Sequence, residues 1–291
     1  MFNKHPKGLI AAALANLGER FGFYTMMAIL VLFLQAKFGM NGKEAGFIYS
    51  TFYFSIYILA LVGGIIADKT RNYKGTIFTG IVLMAVGYLL LAIPSKTPVD
   101  NKMLYLVITC ASLFVIAFGN GLFKGNLQAL VGQMYDNPQY ANMRDSGFSL
   151  FYMFINIGAI FAPFAAVGVR NWWLSTFGYN YDADLPALCH GQLAGTLSPE
   201  ATETYHTLVA KASTAPVQDY TAFASDYLNV FTTGFHYAFG VAIIAMAISL
   251  TIYWLNKKNF PDPSKKTVAS SASSTVVEMS AQEVKQRMYA L

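Results

Sequence analysis

"LIAAALANLGERFGFYTMMAILVLFLQ", residues 9–35, decides how this chain must be built. About 20 apolar residues in helical form cross the ~30 Å hydrocarbon core of a bilayer, and this run exceeds that length. Its only charged groups, Glu19 and Arg20, stand side by side near its middle. The run is too long for a secretory leader and lacks a small-residue cleavage site, so it is expected to stay in the mature protein. An ionisable side chain within a spanning helix costs at least ~2.5 kcal/mol on insertion scales, so the pair marks a functional site by default.

Five more windows of the same kind follow, at Ala45–Ala67, Gly75–Ile93, Leu104–Val131, Gly147–Val169 and Val230–Leu255. Composition agrees: 55% of the 291 residues are hydrophobic and 12% are charged, about half the charged share of a soluble domain. The fold class is all-α integral membrane, and six crossings bring both ends to one side. Lys and Arg in the flanks decide which side. Lys4, Lys7, Lys69, Arg71, Lys74, Arg144 and six more beyond Asn256 share the side of the N-terminus, against Lys37, Lys43, Lys96, Lys102, Arg170 and Lys211 opposite. The N-terminus is predicted to be cytoplasmic, in a multi-pass protein of the cell membrane surrounded by lipid. The formal charge of +5 is then mostly an insertion signal. With no basic face or aromatic stacking platform, a nucleic-acid partner is set aside. Cys110 falls inside the fourth window and Cys189 between the fifth and sixth, which gives neither a disulfide framework nor a metal-ligand spacing. No cofactor or metal is expected, and the chain does not read as an enzyme.

Residues 171–229 hold polar and turn-forming stretches such as "SPEATETYH" and no run long enough to span. They are expected to form a long extracytoplasmic loop with room for short helices, inside a first domain over residues 1–260. Residues 261–279, with "TVASSASSTVVEM", suit a flexible cytoplasmic linker. Ser280 and Glu283 make a capping-box pattern that opens a further helix over 280–291. Six helices, a basic linker and the first turns of a seventh are expected to be the N-terminal half of a twelve-helix transporter made of parallel repeats, truncated before its second bundle. A C-terminal six-helix half is then the expected partner.

Depth connects the polar residues. At ~1.5 Å per helical residue, Arg20 lies ~16 Å in from Leu9, and Lys124 lies a similar distance from Tyr135. The same count places Tyr57, from Asp68, and Asn156, from Asp145, at ~16 Å as well, about half the thickness of the core. On the first helix Asn16, Arg20, Tyr24 and Met27 share one stripe, with Glu19 and Phe23 beside it. Lipid cannot solvate such a stripe, so it is expected to face a water-filled cavity. The plainer reading is a Glu19 and Arg20 pair that only locks helices together, and Lys124 at the same depth weighs against it. Two cations beside a carboxylate can hold a substrate carboxylate while one group changes its protonation. Burial favours the neutral form of each group and an opposite charge favours the ionised form, so an arriving carboxylate changes which group keeps the proton.

Other features read more plainly. Among the aromatic residues of "FIYSTFYFSIY", residues 47–57, only Tyr57 is singled out, the rest serving packing or facing lipid. His236 is expected to be hydrated at the outer start of the sixth helix. "GNGLFKG" lacks the spacing of a phosphate-binding loop.

At these stretches the chain resembles the proton-dependent oligopeptide transporter family of the major facilitator superfamily. "GERFGFYTMMAIL", residues 18–30, is similar to that family's first-helix signature, in which a Glu, two spacers and a Glu-Arg pair precede Phe and two nearby tyrosines. "GGIIADKTRNYKGTI", residues 63–77, resembles its loop between the second and third helices. "GNGLFKGNLQALVGQMY", residues 119–135, resembles the fourth-helix stretch with its lysine, and "FYMFINIGAIFAP", residues 151–163, the fifth-helix signature. The resemblance implies proton-coupled symport of di- and tripeptides by alternating access, with the proton as coupling ion. It makes Glu19, Arg20 and Lys124 the proton-coupling set, and Arg20, Tyr24, Tyr57, Lys124 and Asn156 the peptide contacts. Gly64, Asp68 and Arg71 would hold the cytoplasmic loop during alternating access, where a solvated capping role is the other reading of Asp68.

Three positions depart from the family pattern. Asn16 stands for its first glutamate, Phe23 for its first tyrosine and Met27 for an arginine further along. Asn16 cannot titrate, Phe23 lacks a hydroxyl and Met27 lacks a charge, so proton number and substrate preference are the properties these changes bear on. Two other readings stay open from the residues: a transporter of another small anionic or zwitterionic solute, or a non-transporting membrane receptor or scaffold.

Overall fold

The computed structural model describes residues 4–261, which form α-helices and short turns: α1 (Gly8–Phe38), α2 (Gly42–Thr70), α3 (Tyr73–Ala92), α4 (Lys102–Met134), α5 (Arg144–Thr176), α6 (Leu185–Ala194), α7 (Pro199–Ala212) and α8 (Tyr220–Leu255). Six of them, α1 to α5 and α8, are long and apolar enough to cross a membrane, and they contain the six windows read from the sequence except for Ile93, which caps the end of α3. The linker expected over 261–279, beyond its first residue, and the helix expected over 280–291 lie outside the described residues.

Local chemistry sets the helix ends. Gly39 closes α1 at φ +60, a left-handed angle that suits glycine, and its N–H returns to the Gln35 carbonyl at 2.9 Å. Asn41 then caps α2 in a reciprocal capping box with Glu44. Between α2 and α3 the chain turns on Arg71 at φ +50, a left-handed non-glycine residue, and Asn72 caps α3 through the Gly75 N–H.

The core is built around α1, which packs mainly against α8 and α5, while α4 packs against α3 and α2. Close approach is what small residues allow in a bilayer, where apolar burial alone does not drive helices together. Gly18 and Gly22, one turn apart, lie against Ala245 and Ala242 of α8, and Ser249 of α8 donates to the Ala15 carbonyl at 2.6 Å. The outward faces of α2 and α5 carry exposed apolar residues, among them Phe47, Phe54 and Leu61 on one and Phe161 and Phe164 on the other.

The expected loop over 171–229 is shorter and more ordered than its polarity suggested. Helix α5 runs on to Thr176 and α8 starts at Tyr220, because no break occurs before Gly178, at φ +73, and Asp219 caps α8 through the N–H groups of Thr221 and Ala222. Between them α6 and α7 form a hairpin fastened to the ends of the long helices. Arg170 stacks on the Tyr181 ring at 3.6 Å, Tyr179 donates to Asp226 at 2.6 Å and Tyr205 donates to the Tyr220 carbonyl at 2.7 Å. His190 donates to the Ala36 carbonyl of α1 at 2.8 Å. Burial pushes the Cys189 thiol of α6 up to about 12 and raises the Tyr205 phenol well above its usual range.

His236 corrects an expectation. With α8 beginning four turns earlier, this residue lies inside the bundle, 4% exposed. Its Nδ1 donates to the Leu91 carbonyl at 2.6 Å, so it is packed and not hydrated.

Candidate functional site

Glu19 and Arg20 occupy the centre of α1 and are 0% and 5% exposed. Consecutive helical side chains diverge by about 100°, yet these two fold back on one another: Arg20 donates from Nε to Glu19 Oε2 at 2.5 Å and from a terminal nitrogen to Oε1 at 2.7 Å. The fork of the guanidinium matches the two carboxylate oxygens, the geometry that makes such pairs strong. The two side chains form a buried ion pair. The guanidinium carbon also sits 4.8 Å from the centre of the Phe23 ring.

A third residue completes this cluster, and the sequence did not single it out. Asn120 of α4, fully buried, donates from Nδ2 to Glu19 Oε1 at 2.7 Å. It stands between two glycines that let α4 come close to two other helices at once. A Cβ on Gly119 would lie 2.7 Å from the Gly80 carbonyl of α3, and one on Gly121 would lie 2.4 Å from the Leu59 carbonyl of α2. "GNG" therefore points three ways, to α3, α1 and α2. Only its glycine spacing was visible in the sequence; the reach of the amide to a residue 101 positions away was not. On the other side of α1, Gly158 of α5 lies against the backbone of Leu17 and Phe21.

Lys124 lies one turn beyond Asn120 on α4, half-buried, and its ammonium sits 5.5 Å over the Tyr57 ring of α2. It makes no ion pair with Glu19. Tyr57, 52% exposed, donates to the Tyr53 hydroxyl at 3.0 Å. Tyr24 of α1 stands within electrostatic range of both Arg20 and Tyr53, and so links the buried cluster to the open tyrosines. Asn156 lies on the exposed side of α5 with no hydrogen bond among the described residues.

The expected residues thus fall into two groups: Glu19 with Arg20 in the interior, and Lys124 with Tyr57 on a more open face. The stripe on α1 is not uniformly open. Asn16 and Arg20 are buried while Tyr24 and Met27 are half-buried, because α5 and α8 close over the first turns of the stripe. The pair also does not lock helices by itself, since both members belong to α1; Asn120 supplies the link to α4.

At the turn after α2, Asp68 accepts from the Tyr73 hydroxyl of α3, and Arg71, exposed, forms the left-handed turn itself. A Cβ on Gly64 would meet nothing within 4 Å, whereas one on Gly63 would lie 2.2 Å from the Gly121 carbonyl. Asn126 of α4 adds a bond to the Gly63 carbonyl at 3.0 Å. Among the described residues no group of His, Cys, Asp and Glu side chains has the makings of a metal site.

Comparison with known proteins gives the arrangement a context. Residues 74–289 match the model of the POT family. The peptide transporter YePEPT of Yersinia enterocolitica subsp. palearctica serotype O:3 (strain YE-P4) is 34% identical over 62% of this chain and 34% of its own length. Dipeptide and tripeptide permease A of Enterobacter sp. (strain 638) is also 34% identical, over 61% of this chain and 32% of its own. This chain therefore spans about a third of these curated relatives. A crystal structure of a peptide transporter POT in complex with sulfate superposes with a TM-score of 0.58 at 24% identity, covering 98% of this chain and 45% of that one. That likeness is one of fold.

Proposed function

Since the chain belongs to the POT family, we propose that the whole protein is a proton-coupled symporter that carries di- and tripeptides across the cell membrane by alternating access. The observation that carries this reading is the buried Glu19, held by Arg20 and Asn120, beside an open face with Lys124 and Tyr57. Such a carboxylate is shielded from bulk water yet lies near a cation that a peptide carboxylate can engage. Glu19 takes up the coupling proton. Arg20 and Lys124 hold the peptide's carboxylate, and Tyr24, Tyr57 and Asn156 contact its backbone. Gly64, Asp68 and Arg71 steady the turn after α2 as the two states exchange. A second six-helix half covers the open side of the bundle and closes the cavity. The N-terminus and the turn after α2 face the cytoplasm, and the α6–α7 hairpin faces outward.

Uptake of a labelled dipeptide into liposomes tests the reading. The full-length protein is expected to concentrate dipeptide when an inward proton gradient is imposed, and Lys124→Ala to abolish this at normal expression. Normal transport by Lys124→Ala removes the lysine from the coupling set. Binding of dipeptide without accumulation by the wild-type protein refutes the symporter.

A further inference from the structure

Every hydrogen-bond partner of the Glu19 carboxylate in the structure is a donor. Arg20 gives two bonds and Asn120 gives one, which suits the ionised form. Once Glu19 takes a proton its O–H needs an acceptor, and arginine has none. An acceptor nevertheless lies within the same amide: Asn120 Oδ1 is buried and has no partner. A buried polar atom left unpaired is costly, and this one belongs to the side chain already touching Glu19.

We propose that Asn120 reads the protonation state of Glu19: its amide donates to the carboxylate, and by turning over it accepts from the carboxylic acid. The inference rests on Glu19 being the group that takes up the proton. In the step, the incoming proton forms an O–H bond on a Glu19 oxygen. The Asn120 N–H bond to Glu19 is given up, and the new O–H donates to Asn120 Oδ1. No other charge moves, and the helix contact between α1 and α4 is kept in both states with its polarity reversed.

From outside α1, Asn120 is the residue whose side chain bonds to Glu19. Arg20 faces Glu19 from α1 as a permanent cation. From α3, the fully buried Tyr88 feels both Glu19 and Arg20 and its hydroxyl has no partner, so it does not reach the carboxylate. Tyr24 acts on Arg20. At Gly158 of α5, and at Ala245 and Ser249 of α8, the contacts on this part of α1 carry no ionisable group. Lys124 is engaged with Tyr57 instead.

The test follows the protonated-carboxyl band of Glu19 by infrared difference spectroscopy of the full-length protein in liposomes, with Glu19→Gln as the subtraction. Uptake of dipeptide is measured across the same pH range. Hydrogen bonds to an ionised group are roughly twice as strong as neutral ones, so removing both with Asn120→Leu disfavours ionisation. The band is expected to titrate at a pH higher by about one unit, a tenfold change in the ionisation equilibrium, and proton-driven uptake to shift with it. Exchange of labelled for unlabelled dipeptide, which moves no net proton, is expected to persist. An unchanged band midpoint and band position in Asn120→Leu overturns the proposal.

If Asn120→Leu fails to fold, Asn120→Asp places a second carboxyl beside the first, and the band is expected to titrate in two steps. A single step at the wild-type midpoint overturns the proposal. Wild-type protein that never concentrates dipeptide refutes the symporter, while the infrared titration needs no transport and still decides the role of Asn120.

Discussion

Two cations at one estimated depth have opposite surroundings, and their substitution should separate them. Arg20 is buried and doubly bonded to Glu19. Replacing it with Leu leaves a buried carboxylate without its counter-charge and is expected to cost about 3–5 kcal/mol, read as a large fall in the unfolding temperature in detergent. Lys124 is half-buried, with its ammonium over the Tyr57 ring. Lys124→Leu is therefore expected to change stability by no more than about 1 kcal/mol while still affecting uptake. The sequence disclosed both residues because a charge inside an apolar run is an anomaly in itself. It did not disclose their partners. Rise per residue fixes height along a helix but not direction around it, so Lys124 could be placed level with Glu19 without being placed against it. Asn120 was missed for a related reason: an amide between two glycines carries no local pattern, and its bond to Glu19 crosses 101 positions of sequence.

Neighbouring glycines on α2 make the same contrast for packing. Gly63→Ala forces a methyl group toward the α4 backbone at Gly121, and backbone cannot yield as a side chain can. The expected loss is about 1–3 kcal/mol, visible as reduced yield and a lower unfolding temperature. Gly64→Ala meets open space and is expected to keep or raise stability by roughly 0.5–1 kcal/mol through the better helix propensity of alanine. Any loss of transport in that variant then reports on the turn and not on folding. The α6–α7 hairpin responds to acid. Burial holds His190 below its ordinary value, with Lys102 adding to this and the Ala36 carbonyl opposing it. The unfolded segment titrates near ~6.5, so it binds more protons than the folded one as pH falls through that value, and the contact between α6 and α1 weakens toward acid. Hydrogen exchange over residues 185–194, corrected for intrinsic rates, is expected to quicken below about pH 6.5, and His190→Gln to remove that dependence. At this scale hydropathy located each spanning helix but cut α5 and α8 short, because the last turns of α5 and the first turns of α8 leave the apolar region and stay helical through capping and through packing against the hairpin.

For the whole molecule, the six-helix bundle was legible in the sequence because a membrane-spanning helix satisfies its own backbone and must be apolar for its full length. Sidedness rests on the bias in Lys and Arg alone. Labelling checks it: in a background without Cys110, Lys69→Cys is expected to react with an impermeant maleimide from the cytoplasmic side alone, and Glu203→Cys on α7 from the opposite side alone. Reaction of both from one side would refute the assigned topology. The three contacts of Gly119, Asn120 and Gly121 carry a mechanical consequence. A cylinder touched on one side can roll; one interlocked with three neighbours around its circumference resists axial rotation. Helix α4 is in that position, so any turn of Asn120 relative to Glu19 must be made by the amide about its own side-chain bonds. Helices α1, α2 and α3 are thereby tied through α4 at one level of the bundle.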